Sequence, residues 1–301
     1  MRAEALYSQG RFTDANIELE RAYAQVKDNG QINMALCCDF LSWRLSLYTD
    51  VEQRYTFEER YAALLRYHDA SWINLWSATS AYYHALRGEI DRIPEIFSQH
   101  DLSAVNMLAP GKPMMEMIEN QVYLAEGAYA KVIGRSAELL AVCETMHYAL
   151  VALHIRIQTA AAYEQLGKTV EARAWLSQAL SDAAPDGLVM PFVENYDRLK
   201  PLLEREIKND LIAKITALGE AAKARNAANT RPAAFDVLTP REFEIVELMA
   251  QRLSNREIAE KLYLSEGSVK QYVNQIYSKI HMEGGTRTKR KQLAELLRQK
   301  T

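Results

Sequence analysis

Residues 266–279 read EGSVKQYVNQIYSK, and the groups there with chemistry to offer are an amine, three amides and a phenol, carried by Lys270, Gln271, Asn274, Gln275 and Tyr272. No convergent set of nucleophile, base or metal ligands stands anywhere in the 301 residues, which argues against an enzyme and calls for no cofactor. His147 and His154 lie in no metal-ligand spacing and are expected in the packed interior. What the amine and amides can do is exchange hydrogen bonds. An ammonium donates to a guanine edge or a phosphate, and Asn or Gln can make paired bonds to adenine. On a helical projection Val269, Val273, Ile276 and Ile280 fall on one side, while Lys270, Gln271, Asn274, Gln275 and Ser278 spread over the other. Any solvated helix has a polar face, so the row alone decides nothing.

The elements around it are what give the row meaning. Thr239, Pro240 and Glu242 have capping-box spacing with proline at the first helical position, which predicts a helix start in LTPREFEIVELMAQRL. Ser254 and Glu257 repeat the box before a second helix that packs through Ile258, Ala259 and Leu262, and Ser265 caps the third. Residues 238–280 resemble the LuxR-type helix-turn-helix along their length, with the LTPRE start, the LSNREIA turn and helix, and the LSEGSVK entry to the recognition helix. That resemblance implies double-stranded promoter DNA as partner, with Lys270, Gln271, Tyr272 and Asn274 at positions that face DNA. It makes Asn255, Arg256 and Lys279 weaker candidates for phosphate contacts. After Ile280 the chain departs from the commonest pattern, with a longer, basic, glycine-containing connector in HMEGGTRTKRKQLAELLRQK. The last helix commonly serves dimerisation in the family, so a homodimer on DNA is expected, with its geometry left open.

Charge agrees with this placement. The net charge of −3 divides into +4 over residues 238–301, from 12 Lys or Arg against 8 Asp or Glu, and −7 over the first 237, from 24 against 31. The basic end is the one suited to a polyanion. Cys37, Cys38 and Cys143 show no CxxC spacing, so reduced, buried thiols of a cytoplasmic protein are expected. No apolar run approaches the ~18 residues of a membrane span.

Helical periodicity recurs almost everywhere and strand signals are scarce, so the chain reads as all-α. ALYSQGRFTDANIELERA (5–22) lines up with AYEQLGKTVEARAWLSQA (162–179) when Gly10 is set on Gly167, and Ala15 and Ala22 then match Ala172 and Ala179. Gly88 and Gly127 fit the same ladder at spacings of 78, 39 and 40, which predicts a further copy near Thr49 and five helical hairpins in all. Small residues belong where the chain reverses and where helices approach closely. The units resemble tetratricopeptide repeats of lengthened period, and a solenoid of them would present an extended binding groove. Trp72, Trp76, Tyr82, Tyr83 and His84 are expected as core between repeats, with a place on the binding surface as the alternative.

The expected organisation is a repeat-based sensor or interaction domain over 1–208, a helical extension and linker over 209–236, and the DNA-binding domain over 237–301. Repeats followed by this domain resemble the C-terminal part of the MalT-like group of large ATP-dependent LuxR regulators, where a nucleotide-binding switch precedes the repeats. No GxxxxGK[ST] loop occurs here. Gly167-Lys168-Thr169 has the tail of that motif, but its leading position is Ala162, so ATP binding is not expected. Nine residues precede Gly10 where the repeat at Gly167 has roughly 16, about four helical turns, so the chain is expected to begin inside a repeat. The function expected is a bacterial transcription regulator whose repeats receive a small-molecule or protein signal. The alternative is a repeat-based adaptor whose DNA binding is secondary.

Overall fold

A computed structural model describes residues 2–29, 31–67, 70–105, 111–229, 233–235, 237–251, 253–262, 264–280, 282 and 286–298. Among the described residues there is no strand, and no helix is long and apolar enough to cross a membrane. The chain divides into two compact units, Met1–Lys223 and Ala224–Thr301.

Among the described residues of the first unit, the leading helices are α1 (Arg2–Ser8), α2 (Phe12–Asn29), α3 (Ile32–Tyr48), α4 (Phe57–Leu64), α5 (Ala70–Arg87), α6 (Glu95–Ser98), α7 (Lys112–Glu126), α8 (Tyr129–Thr145), α9 (Ala149–Gln165) and α10 (Thr169–Ala183). In chain order they fall into five pairs, of which α1/α2, α7/α8 and α9/α10 pack closely on one another, whereas α4 lies mainly against α5. Gly10, Gly88, Gly127 and Gly167 all take positive φ, between 69° and 78°. At Gly127 and Gly167 this left-handed residue lets the next amide fold back on the ended helix, Ala128 N–H to Tyr123 C=O at 2.8 Å and Lys168 N–H to Tyr163 C=O at 3.0 Å. The rung at Thr49 differs. Thr49 is extended, at φ −139° and ψ 171°, and α4 begins only at Phe57, after a capping box between Thr56 and Glu59. A longer loop also follows Gly88, where α6 begins only at Glu95, so these two reversals are looser than those at Gly127 and Gly167.

The matched alanines explain how closely the helices approach: Ala15, Ala172 and Ala179 are fully buried, and Ala22 is half-buried against the same core. Tyr82, Tyr83 and His84 are buried, and the half-buried Trp76 donates its indole N–H to Phe57 C=O at 3.1 Å, so these aromatics pack between helices. Cys38 and Cys143 are buried free thiols, whereas Cys37 is exposed, because the register of α3 that turns Leu36 and Cys38 inward turns Cys37 out.

After α10 come α11 (Met190–Val193), α12 (Tyr196–Leu203) and α13 (Asp210–Asn229). This stretch returns to the start of the chain. Val189 N–H donates to Ser8 C=O at 2.7 Å, Gln9 Nε2 to Asp186 C=O at 3.0 Å, and Lys214 Nζ to Gln9 C=O at 2.7 Å. Ile212, Ile215 and Leu218 of α13 join the core shared by α1, α2, α9 and α10. Gly219 lies against the Tyr196 ring so closely that an added Cβ would come within 2.3 Å of it.

The second unit holds α14 (Pro240–Ala250), α15 (Asn255–Leu262), α16 (Glu266–Lys279) and α17 (Thr286–Arg298). Phe235, Ile245, Val246, Ile258, Val269, Ile276 and Leu293 are fully buried and bring all four helices onto one small core.

Candidate nucleic-acid interface

The first three helices of the second unit each start at a side-chain cap. Thr239 Oγ1 accepts the Glu242 amide while Glu242 accepts the Thr239 amide, at 3.3 and 2.7 Å. Ser254 and Glu257 make the same exchange at 3.3 and 2.7 Å, and Ser265 Oγ accepts the Ser268 amide at 3.0 Å. These caps satisfy amides that a helix start leaves without partners, and so fix where α14, α15 and α16 begin.

With its start fixed, α16 turns Val269, Val273, Ile276 and Tyr277 into the core and leaves Lys270, Gln271, Asn274, Gln275 and Ser278 exposed. Lys270, Gln271 and Asn274 thus share the outward face, while Tyr272 is half-buried at the edge of the core. A 14-residue helix is roughly 21 Å long, and a major groove about 12 Å wide admits one. Gly267, in the first turn, has no internal reason to be glycine. Its φ is ordinary, and among the described residues an added Cβ would meet only Ser265 Oγ, at 3.7 Å.

The weaker candidates are held differently. Arg256 is exposed and pairs with Glu260 at 3.1 Å, an exposed i,i+4 contact of little energy that leaves the guanidinium free to turn elsewhere. Asn255, half-buried, accepts from Arg290 Nη2 at 2.7 Å, and Arg290 Nη1 donates to Leu253 C=O at 2.8 Å. Lys279 donates to Glu242 Oε2 at 2.7 Å, at the far end of α16 from Lys270. Burial opposes ionisation of Glu242, but Lys279 and Thr239 overcome it and hold the carboxyl below the usual carboxylate range.

Two arginines that shape the site are not singled out by the sequence. Arg290 ties α17 to the turn before α15, and Arg241 donates to Leu262 C=O at 2.8 Å, closing the end of α15 against α14. The only signal of Arg290 is its place in the basic run 289–291, which says nothing of which carbonyl it reaches.

Residues 236–288 match the family model described as bacterial regulatory proteins, luxR family. The C-terminal unit carries a LuxR-family helix-turn-helix domain. The chain is similar to the transcriptional regulatory protein LnrK of Bacillus subtilis (strain 168), 47% identical over 49 residues, covering 16% of this chain and 22% of the relative. It is also similar to the nitrate/nitrite response regulator protein NarL of Escherichia coli (strain K12), 31% identical over 98 residues, covering 33% and 45%. A third similarity is to the DNA-binding transcriptional activator DevR/DosR of Mycobacterium tuberculosis, 27% identical over 104 residues, covering 35% and 48%. The chain therefore spans less than half the length of each of these relatives. No solved structure matches it. A LuxR-family domain implies DNA as ligand, and in this one α16 occupies the place of the second helix of the turn motif, with α15 as the first.

Proposed function

We propose that the chain is a bacterial transcription regulator that reads promoter DNA with the outward face of α16. Lys270, Gln271 and Asn274 take base edges in the major groove, with Tyr272 beside them, and Asn255 and Arg256 take backbone phosphates at the start of α15. The observation that carries this reading is the division of α16 into a fully packed apolar side and an exposed row of amides and an amine, within a LuxR-family domain. Gly267 supports it. Glycine in a helix costs about 1 kcal/mol relative to alanine, nothing among the described residues requires it, and a phosphate backbone against the first turn would. Asn255 and Arg256 stand where a helix N-terminus adds its own attraction for an anion. Lys279, engaged with Glu242, serves here mainly to seat α16 on α14 and reaches phosphate only by leaving that partner.

In the same proposal the five hairpins form a tetratricopeptide-like array of the MalT-like kind that receives a small-molecule or protein signal, and two copies occupy paired half-sites. The test is titration of the full chain against duplex promoter fragments at several salt concentrations. Affinity should fall steeply as salt rises, because bound Lys and Arg release counterions. Gln271→Ala and Asn274→Ala should each cost ~1–3 kcal/mol on preferred sequences and little on others, while Arg256→Ala weakens all alike. Binding indifferent to salt, or equal losses on every sequence from the two amide variants, would overturn the assignment.

A further inference from the structure

The inner side of the hairpin array is filled by the chain itself. The first helix of every hairpin places a side chain on two adjacent residues, Glu194 and Asn195. Tyr7 of α1 and Tyr82 of α5 donate their hydroxyls to the two Glu194 carboxylate oxygens at 2.8 and 2.6 Å. Arg44 of α3 stands 3.8 Å away, and His154 Nδ1 of α9 stands 3.9 Å away. Gln121 of α7 donates to Asn195 Oδ1 at 3.1 Å. The Glu194 side chain is wholly buried, and around it Val189, Met190, Phe192 and Leu199 are fully buried too.

This is an odd way to build a permanent core. A buried ion pair is often no better for stability than well-packed apolar residues of the same volume, whereas polar side chains cost little on a surface that meets water part of the time. The receiving side is also provided for when Glu194 leaves: Arg44 is independently paired with Glu4, so its buried charge keeps a partner. Burial, with Arg44 second, lowers the His154 pKa to about 3, so that ring is neutral and Arg44 supplies the positive charge facing Glu194.

We propose that Glu194 and Asn195 form a latch, an intramolecular ligand that holds the five hairpins closed around Val189–Leu203 and can be released without unfolding them. Release would also unseat α13. Tyr196 and Lys200 of α12 hold Glu220 of α13 at 2.8 and 2.6 Å, and Leu218 and Lys214 of α13 pack on Gly10 and Gln9. An effector of the array then acts by competing with this segment, not by entering an open groove.

The test is hydrogen exchange, read by mass spectrometry, on the full chain and its Glu194→Gln variant. Losing a charged acceptor shared by two hydroxyls should speed exchange about tenfold or more in 190–203 and 211–218. The outer helices α8 and α10 should keep their wild-type protection. Tyr82→Phe, which removes one hydroxyl only, should give the same local pattern at smaller amplitude and serves if the glutamine variant does not fold. Leu176→Ala, in the packed core of α10, should instead loosen the whole unit. If Tyr82→Phe speeds exchange evenly over 1–223, as Leu176→Ala does, or leaves 190–203 unchanged, Glu194 is a fixed core residue and the latch is refuted.

Discussion

Glu242 joins the start of α14 to the end of α16, and its replacement by glutamine has a calculable effect. The side chain is 4% exposed and accepts from the Thr239 amide and the Lys279 ammonium, both at 2.7 Å. The capping interaction contributes about 1 kcal/mol. Lys279 is 40% exposed, so solvent screening limits its share to the ~0–1 kcal/mol of a surface pair. Glutamine keeps the shape and the capping acceptor but loses the charge that faces Lys279, so the second unit should lose about 0.5–1 kcal/mol. In a unit of this size that lowers the thermal midpoint by roughly 2–8 °C. All four tryptophans, Trp43, Trp72, Trp76 and Trp175, lie in the first unit, so indole fluorescence follows that unit while far-UV circular dichroism follows both. Glu242→Gln should move the dichroism transition and leave the fluorescence transition in place. The sign with pH follows from the depressed carboxyl. Its stabilisation is complete above the ordinary value of 4.5 and is lost as pH falls through the lower folded value. The gap between wild type and variant should therefore be widest near neutrality and close in acid. A gap that persists unchanged in acid, or a shift in the fluorescence transition, would refute the account.

Other outcomes follow from single positions. Gly267→Ala should raise the thermal midpoint of the free protein, by about 1 kcal/mol of helix propensity, and lower duplex affinity in a titration; unchanged affinity would remove the close backbone approach. Gly167→Ala meets no neighbour but holds φ at +71°, so urea titration should show a loss of roughly 1–2 kcal/mol. Gly219→Ala drives a methyl into Tyr196 and should cost about 1–3 kcal/mol or more. A fragment of residues 1–208 lacks Ile212, Ile215 and Leu218, whereas 1–223 keeps them; the shorter one should unfold at distinctly lower urea, and equal midpoints would show that α13 adds nothing to the core.

Several of these features are legible in the amino-acid sequence because their causes are local. A capping box acts over three residues, so Thr239 with Glu242 and Ser254 with Glu257 mark two helix starts. The glycine ladder works because a left-handed turn selects glycine from the backbone outward, whatever packs nearby. At Thr49 the interval marks the end of α3, but the residue there, not being glycine, continues extended and the next helix begins only at Phe57. The outward row of α16 is legible too, since Lys270, Gln271 and Asn274 are exposed by the same periodicity that buries Val269, Val273 and Ile276.

What lies beyond the sequence is the set of partners far apart in the chain. Lys279 and Glu242 are 37 residues apart, and Arg290 and Asn255 are 35 apart. Tyr7 and Tyr82 reach Glu194 across 187 and 112 residues. Residue type and spacing say that a lysine can donate and a glutamate accept; they do not say which of many lysines and glutamates will meet. That is settled by how every helix packs on its neighbours, and the packing here brings side chains of α1, α3, α5, α7 and α9 onto two adjacent residues, Glu194 and Asn195. The sequence determined where helices begin, turn and face outward, because those depend on neighbours within a turn or two. Only the tertiary structure decided that side chains of α1, α3, α5, α7 and α9 meet at Glu194 and Asn195, because that depends on every contact at once.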